Sequence, residues 1–361
     1  MIEFVESGHL DHVPGRGAYM PWITPLPDGD FIASQHVGSA LGANDCKIEI
    51  LRSTDGKQWV NEGPIDHHDT AYSYRIPHIH VLADGRLALT ATRFACSESA
   101  LFDPTSEALQ RPQMLLYYSG DMGHHWTAPH IVSVDLPAER YTANGAGTLL
   151  QLSPDRWMYP FETWKPAGYS GPPDQKAGAL FSSDRGQTWD EWVVVADDRS
   201  GQLCYWDQMC AQLSDGRIYT MLWVHRYGTD EDAPNHYTLS DDGGRTWSPP
   251  QTTNLQGQVC CPIPLADGRV AALYNHRRFP QGIRLALSDD LRTFTDACTV
   301  FDAGHEATLG RAQSANFLAE HLLIAFGKPG GIQLDDGNLL VWFWCTVGGV
   351  THTRWARLRL Q

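Results

Sequence analysis

Ser119-Gly120-Asp121-Met122-Gly123-His124-His125-Trp126 has the form Ser-x-Asp-x-Gly-x-x-Trp, and the complete form returns at Ser182 to Trp189 and at Ser240 to Trp247. Shortened versions stand at Ser53 to Trp59 and at Ser288 to Phe294. In such a segment the carboxylate can accept main-chain N–H bonds, glycine permits a reversed φ, and the aromatic ring can cover the sheet below. The pattern therefore specifies a strand-turn-strand corner and calls for no catalysis. Its aspartates fall at 55, 121, 184, 242 and 290, in steps of 66, 63, 58 and 48 residues. Each step holds four short strands.

A second signal is interleaved with the first. Asp28-Gly29, Asp84-Gly85, Asp155-Arg156, Asp215-Gly216, Asp267-Gly268 and Asp336-Gly337 each separate two apolar, strand-favouring runs, which reads as six hairpins. Together the two signals resemble the Asp-boxes, or BNR repeats, of the sialidase superfamily, whose members are β-propellers. The resemblance spans nearly the whole chain. It implies an all-β, six-bladed β-propeller of four-stranded antiparallel blades, near 18–61, 74–132, 143–195, 205–250, 257–301 and 325–360, in one domain over 1–361. The sixth repeat lacks an Asp-box, and Ile2 to Glu6 is strand-like and unclaimed, so this segment is expected to pair with the C-terminal strand and close the ring.

Composition bounds the partners. The formal charge is −15 and only 19% of residues are charged, so an acidic surface without a basic cluster argues against nucleic acid. The longest apolar run, around Leu339 to Cys345, is too short to span a bilayer, and the start Met1 to Glu6 lacks a signal-peptide pattern. No membrane partner is expected, and a cytoplasmic location follows unless the sequence is that of a processed secreted form. The eight cysteines contain no CxxC pair and read as reduced, mostly buried thiols. No cofactor and no metal are expected, since no zinc-type signature is present. Nothing in the sequence assigns an oligomeric state.

In a propeller of this kind the hairpin turns and Asp-boxes share one face, while the starts of inner strands and the ends of second strands share the other. The second face carries the candidates. Tyr19, Arg75 and Asp207 stand at strand starts; His36, Arg93, Glu162, Trp164, His225, Arg226, His276 and Arg277 stand at strand ends or just beyond. Aromatic rings stack on sugar faces, and planar donors pair with hydroxyls or a carboxylate, so this mixture suits a carbohydrate substrate. Long connections lie on the same face, the longest from Asp302 to Pro329 with His305, Glu306 and Arg311.

Sialidases use an arginine triad, the first member within Phe/Tyr-Arg-Ile-Pro, together with a tyrosine nucleophile activated by Glu and an Asp acid/base. Tyr74-Arg75-Ile76-Pro77 reproduces that motif, but in the second blade; Tyr19 holds the corresponding place in the first. Asp45 matches the acid/base position in rough location, Asp207 lies near the activating Glu, and Lys328 stands where the tyrosine belongs. These departures point to altered chemistry. Glycosidic cleavage needs two carboxylates, and Glu162 with Asp207, or Asp45, could supply them. Each has a plainer alternative: Glu162 paired with Lys165 or Arg226, Asp207 capping a strand, Asp45 holding a loop, Arg75 in a structural ion pair. The leading expectation is an exo-acting, sialidase-like glycoside hydrolase that removes a terminal sugar, acidic or neutral, from an oligosaccharide. A propeller polysaccharide lyase acting by β-elimination on uronates and a non-catalytic glycan-binding propeller are the alternatives.

Overall fold

The computed structural model describes residues 2–97, 101–103, 106–145, 147–229, 231–278, 280–304 and 324–360. Six antiparallel sheets follow one another along the chain. The first comprises Gly17–Pro25, Phe31–Gly38, Lys47–Ser53 and Val60–Pro64, and the second Tyr72–Val81, Leu87–Ala95, Pro112–Ser119 and His130–Val132. In the third, Thr142–Gly145 and Leu150–Gln151 together form an interrupted inner strand against Trp157–Trp164, followed by Ala177–Ser182 and Glu191–Ala196. The fourth contains Leu203–Gln212, Ile218–Arg226, Asp232–Ser240 and Gln251–Thr252; the fifth, Cys260–Pro264, Val270–His276, Gly282–Ser288 and Thr295–Asp302. First strands of most successive sheets touch around a common axis, and the last strands are the most exposed. This is a six-bladed propeller. No helix occurs among the described residues, so none there is long and apolar enough to cross a membrane.

The sixth blade takes Phe326–Gln333, Leu339–Val347 and Val350–Leu360 from the C-terminal end and Ile2–Asp11 from the N-terminal end. Its closing strand runs antiparallel to the last, from Ile2 opposite Leu360 to Asp11 opposite Thr353, as the unclaimed N-terminal segment leads one to expect. Buried polar groups lock this seam: Thr353 Oγ1 donates to Gln35 Oε1 at 2.7 Å, and Gln35 Nε2 donates to Asp11 Oδ2 at 2.6 Å. The seam therefore also joins the sixth blade to the first.

Five of the six hairpins share Leu-x-Asp-Gly, at Leu26, Leu82, Leu213, Leu265 and Leu334. In each, the glycine N–H donates to the leucine carbonyl, and the glycine has positive φ. These are turns one step longer than a two-residue hairpin, with the left-handed residue placed after the turn. The third blade, whose turn carries Asp155-Arg156, closes without glycine through the Arg156 carbonyl, which accepts from Leu152 and Ser153.

The Asp-boxes are structural. Ser240 Oγ accepts from the Gly244 N–H at 2.8 Å and donates to Asp242 Oδ1 at 2.9 Å, which also accepts from the Thr246 N–H at 2.9 Å. Trp247 Nε1 donates to the Gly244 carbonyl at 3.0 Å. These hydrogen bonds, with the Thr246 backbone N–H first among them, hold the Asp242 carboxyl down to about 2. Gly244 has φ +85°, and a Cβ there would stand 2.7 Å from Phe181 Cζ of the third blade. Gly123 and Gly186 likewise meet Ile32 and Tyr118 of the preceding blade, so the three complete boxes seat the second, third and fourth blades on their predecessors. Gly244→Ala should cost about 2–4 kcal/mol through left-handed strain and overpacking. Denaturant unfolding checks this, and an unchanged midpoint would refute it.

Candidate active site

Four inner strands carry the same irregularity. Between Tyr19 and Trp22, Arg75 and His78, Trp206 and Met209, and Gly327 and Gly330, two residues oppose one on the neighbouring strand. The first bulged residue is always left-handed: Met20 (φ 49°), Ile76 (φ 54°), Asp207 (φ 45°) and Lys328 (φ 41°). For a β-branched residue such as Ile76 this is a strained conformation. In three cases proline follows, at Pro21, Pro77 and Pro329; Gln208 takes its place in the fourth. Tyr74-Arg75-Ile76-Pro77 is therefore one instance of a bulge repeated around the channel. Neighbouring blades hold these bulges, through Ser34 Oγ to the Pro77 carbonyl at 2.9 Å and Gln208 Nε2 to the Phe161 carbonyl at 2.6 Å.

Asp207 and Lys328, at equivalent bulges of the fourth and sixth blades, meet across the channel. Lys328 Nζ lies 2.6 Å from Asp207 Oδ1, with both side chains largely buried. Glu162, from the second strand of the third blade, is 2% exposed. Its Oε2 accepts from Trp164 Nε1 at 3.0 Å, whereas Oε1 has no hydrogen-bond partner among the described residues. Burial first, and repulsion from the Asp207 carboxylate second, push Glu162 up to about 8 against the pull of Lys328. Neither Lys165 nor Arg226 pairs with Glu162, and Arg226 is exposed. Two adjacent carboxyl groups thus sit in different environments: Asp207 ion-paired, Glu162 dry and favouring its proton at neutral pH.

An aromatic wall backs them. Trp164 stacks on Trp206 at 5.6 Å between centroids, and Trp206 stacks on His225 at 5.0 Å. These rings are buried, so their direct effect is to fix the Trp164 N–H that holds Glu162. His225 Nδ1 lies 3.0 Å from Asp232 Oδ1, and the same carboxylate accepts from Trp223 Nε1 at 2.8 Å and from Gln258 Nε2 at 3.0 Å. Arg277 Nε donates to Gln258 Oε1 at 2.9 Å, while its other end donates to the Phe326 carbonyl. Arg277 and Arg278, with Glu231, Asp232 and Gln258, line a cavity of about 180 Å³ on this side.

Arg75 lies opposite, buried, with no hydrogen bond or ion pair to its side chain among the described residues; its Nε is orphaned. Burial lowers its affinity for the proton, and Cys46, Asp207 and Tyr19 work the other way. The Asp207 influence brings Arg75, Asp207 and Glu162 into one electrostatic neighbourhood. Tyr19 stacks on His36 at 5.3 Å and meets Trp344 edge-on. Neither His36 ring nitrogen has a partner among the described residues, and burial, then Arg75, keeps the ring neutral.

The remaining candidates are engaged elsewhere. Asp45 is exposed and accepts from Ser39 N–H and Oγ at 3.0–3.1 Å, so it caps its own loop. Arg93 donates to Gln113 at 2.7 Å and lies over the Tyr72 ring. His276 Nδ1 faces the Pro280 carbonyl at 3.0 Å. His305, Glu306 and Arg311 lie outside the described residues. Sequence reasoning misses Asp232 and Gln258, whereas it sets Lys328 at the start of an inner strand, where the tyrosine belongs, without giving it a role. The bulge pattern Met20-Pro21, Ile76-Pro77, Lys328-Pro329 is the sequence signal that gives Lys328 the same backbone position as Met20 and Ile76. All eight cysteines are free; six are buried.

A family model described as a BNR repeat-like domain matches residues 29–309. This chain belongs to the BNR repeat-like family. The BNR repeat-like fold aligns with a Dyadobacter fermentans protein of unknown function at TM-score 0.79 and 19% identity, covering 100% of this chain and 99% of that one. A Penicillium chrysogenum alpha-L-arabinanase, solved with arabinobiose, aligns at TM-score 0.68 and 15% identity over 98% of both chains. The intramolecular trans-sialidase of Ruminococcus gnavus aligns at 0.64 and 13%, over 95% of this chain and 94% of that one. No curated protein matches this BNR repeat-like sequence. At these identities what is shared is the propeller, which hosts glycosidases among its members.

Proposed function

We propose that this BNR repeat-like propeller is an exo-acting glycoside hydrolase that removes a terminal sugar from an oligosaccharide. The observation that carries the reading is the pairing of a dry, proton-holding Glu162 with an ion-paired Asp207 in one electrostatic neighbourhood. Environments that drive two carboxyl groups apart are what acid and base roles require. Glu162 gives its proton to the glycosidic oxygen as the bond to the anomeric carbon breaks. Asp207 acts at that carbon, either directly or by taking a proton from an attacking water. Water supplies the hydroxyl on the released sugar, and the leaving alcohol keeps the proton from Glu162. Arg75, a buried guanidinium whose Nε has no partner among the described residues, would pair with a carboxylate or with vicinal hydroxyls, which favours an acidic terminal sugar.

The test is product formation from a panel of terminally labelled acidic and neutral oligosaccharides, with reducing-end release as the readout. A product absorbing in the ultraviolet would replace hydrolysis by β-elimination; binding without product would make the propeller a glycan-binding module. Asp45→Asn should leave turnover within about threefold and cost no more than about 1 kcal/mol, because its hydrogen bonds serve an exposed loop. A turnover loss comparable to that of Glu162→Gln would return Asp45 to the reacting centre.

A further inference from the structure

Three histidines outside the candidate active site come together at the seam of the ring. His9 lies on the closing strand, His12 just beyond it, and His352 on the strand that pairs with it. Their ring centroids stand 4.8, 4.8 and 4.7 Å apart pairwise, and one nitrogen from each lies within 4.8 Å of the others. We propose that these three imidazoles form a binding site for a borderline divalent transition metal, of which Zn²⁺ is the type ion. The expectation of no metal rested on local spacing, and residues 9, 12 and 352 share no local motif.

The chemistry of the cluster favours a metal over protons. Three cationic imidazoles at this spacing would repel one another, and no carboxylate belongs to the cluster to balance them. Asp11, the nearest acid in sequence, is bound by Arg16 and Gln35.

His352 is also oriented as a ligand. Its Nδ1 faces the Val350 carbonyl at 3.0 Å, which fixes the proton there and leaves the lone pair on Nε2. Nε2 faces Cys345 Sγ at 3.6 Å, a soft neighbour on the second strand of the same blade. His9 and His12 are exposed, so an ion can reach them from solvent. Three nitrogen ligands with a fourth position left to water suit Zn²⁺, Co²⁺ or Ni²⁺ rather than Mg²⁺ or Ca²⁺, which prefer oxygen. Arg354 stands near and opposes cation binding, so a metal must be held by covalent-like imidazole bonds and not by field.

The metal would clasp the closing strand to its partner, and it would stabilise the folded ring by an amount that grows with the logarithm of its free concentration. This site is independent of the glycosidase reading. The experiment uses the full chain, stripped with chelator, titrated with Zn²⁺ in calorimetry and with Co²⁺ in visible absorption. The expected result is saturable one-to-one binding, a melting temperature that climbs as free Zn²⁺ rises, and loss of both in His9→Ala and in His12→Ala. Both substitutions are at exposed side chains, so the folded ring is retained and its circular dichroism checks this. Absence of one-to-one binding, or binding unchanged in both variants, would overturn the proposal. Mg²⁺ should produce none of these effects, and an equal response to Mg²⁺ would also overturn it.

Discussion

Glu162→Gln is expected to lower turnover by about 10²–10⁴-fold, the range for removing a positioned general acid, while substrate binding persists. Gln keeps the shape and can still accept from Trp164 Nε1, but it has no proton to give the leaving oxygen. The pH profile makes the prediction specific. With Glu162 raised to about 8, its acid form predominates below that pH, so activity should fall as pH climbs through about 8. Stability moves in the same direction. A carboxyl group whose folded value is raised from its ordinary 4.5 favours folding fully below 4.5, and that contribution disappears as pH rises to about 8. Glu162→Gln should therefore melt higher than the parent protein at pH 8 and show no such gain at pH 4. Paired activity and melting profiles check both limbs, and an unchanged alkaline limb in the residual activity of the variant would remove Glu162 from the acid role.

Lys328→Met should be the most destabilising change in the site, at about 3 kcal/mol. It strands the Asp207 carboxylate in a largely buried position after its ammonium partner is removed. It also takes a positive charge from the neighbourhood of Glu162, so the Glu162 carboxyl should move still higher and the alkaline limb with it. Adding Asp207→Asn to Lys328→Met should recover part of the lost stability, because the uncompensated charge is then gone. A double-mutant cycle by denaturant unfolding measures the coupling. Strict additivity would mean that the ion pair is not a unit.

The fold was legible because its signals are local and repeated. Ser-x-Asp-x-Gly-x-x-Trp builds each corner within a few residues, and Leu-x-Asp-Gly builds most hairpins the same way. The site was legible only in part. Glu162, Asp207 and Arg75 could be placed because strand ends of successive blades must converge on one face. Asp45 shares that face, yet its carboxylate is satisfied by Ser39 six residues away, a loop geometry that spacing does not encode. Arg93 likewise turns to Gln113 and Tyr72. Lys328 and Asp207 are separated by 121 residues, and their contact depends on two bulges having the same left-handed backbone. The histidine trio depends on ring closure itself.

The repeated left-handed bulge gives the channel a set of interchangeable sockets. Met20, Ile76, Asp207 and Lys328 occupy the same backbone position in four blades, and one each is thioether, branched alkyl, acid and base. Because neighbouring strands supply the support, the occupant of a socket can be exchanged without redrawing the sheet around it. A propeller built this way can change its reaction by swapping single residues at fixed points around a ring, and so two chains of the same shape can carry out different chemistry.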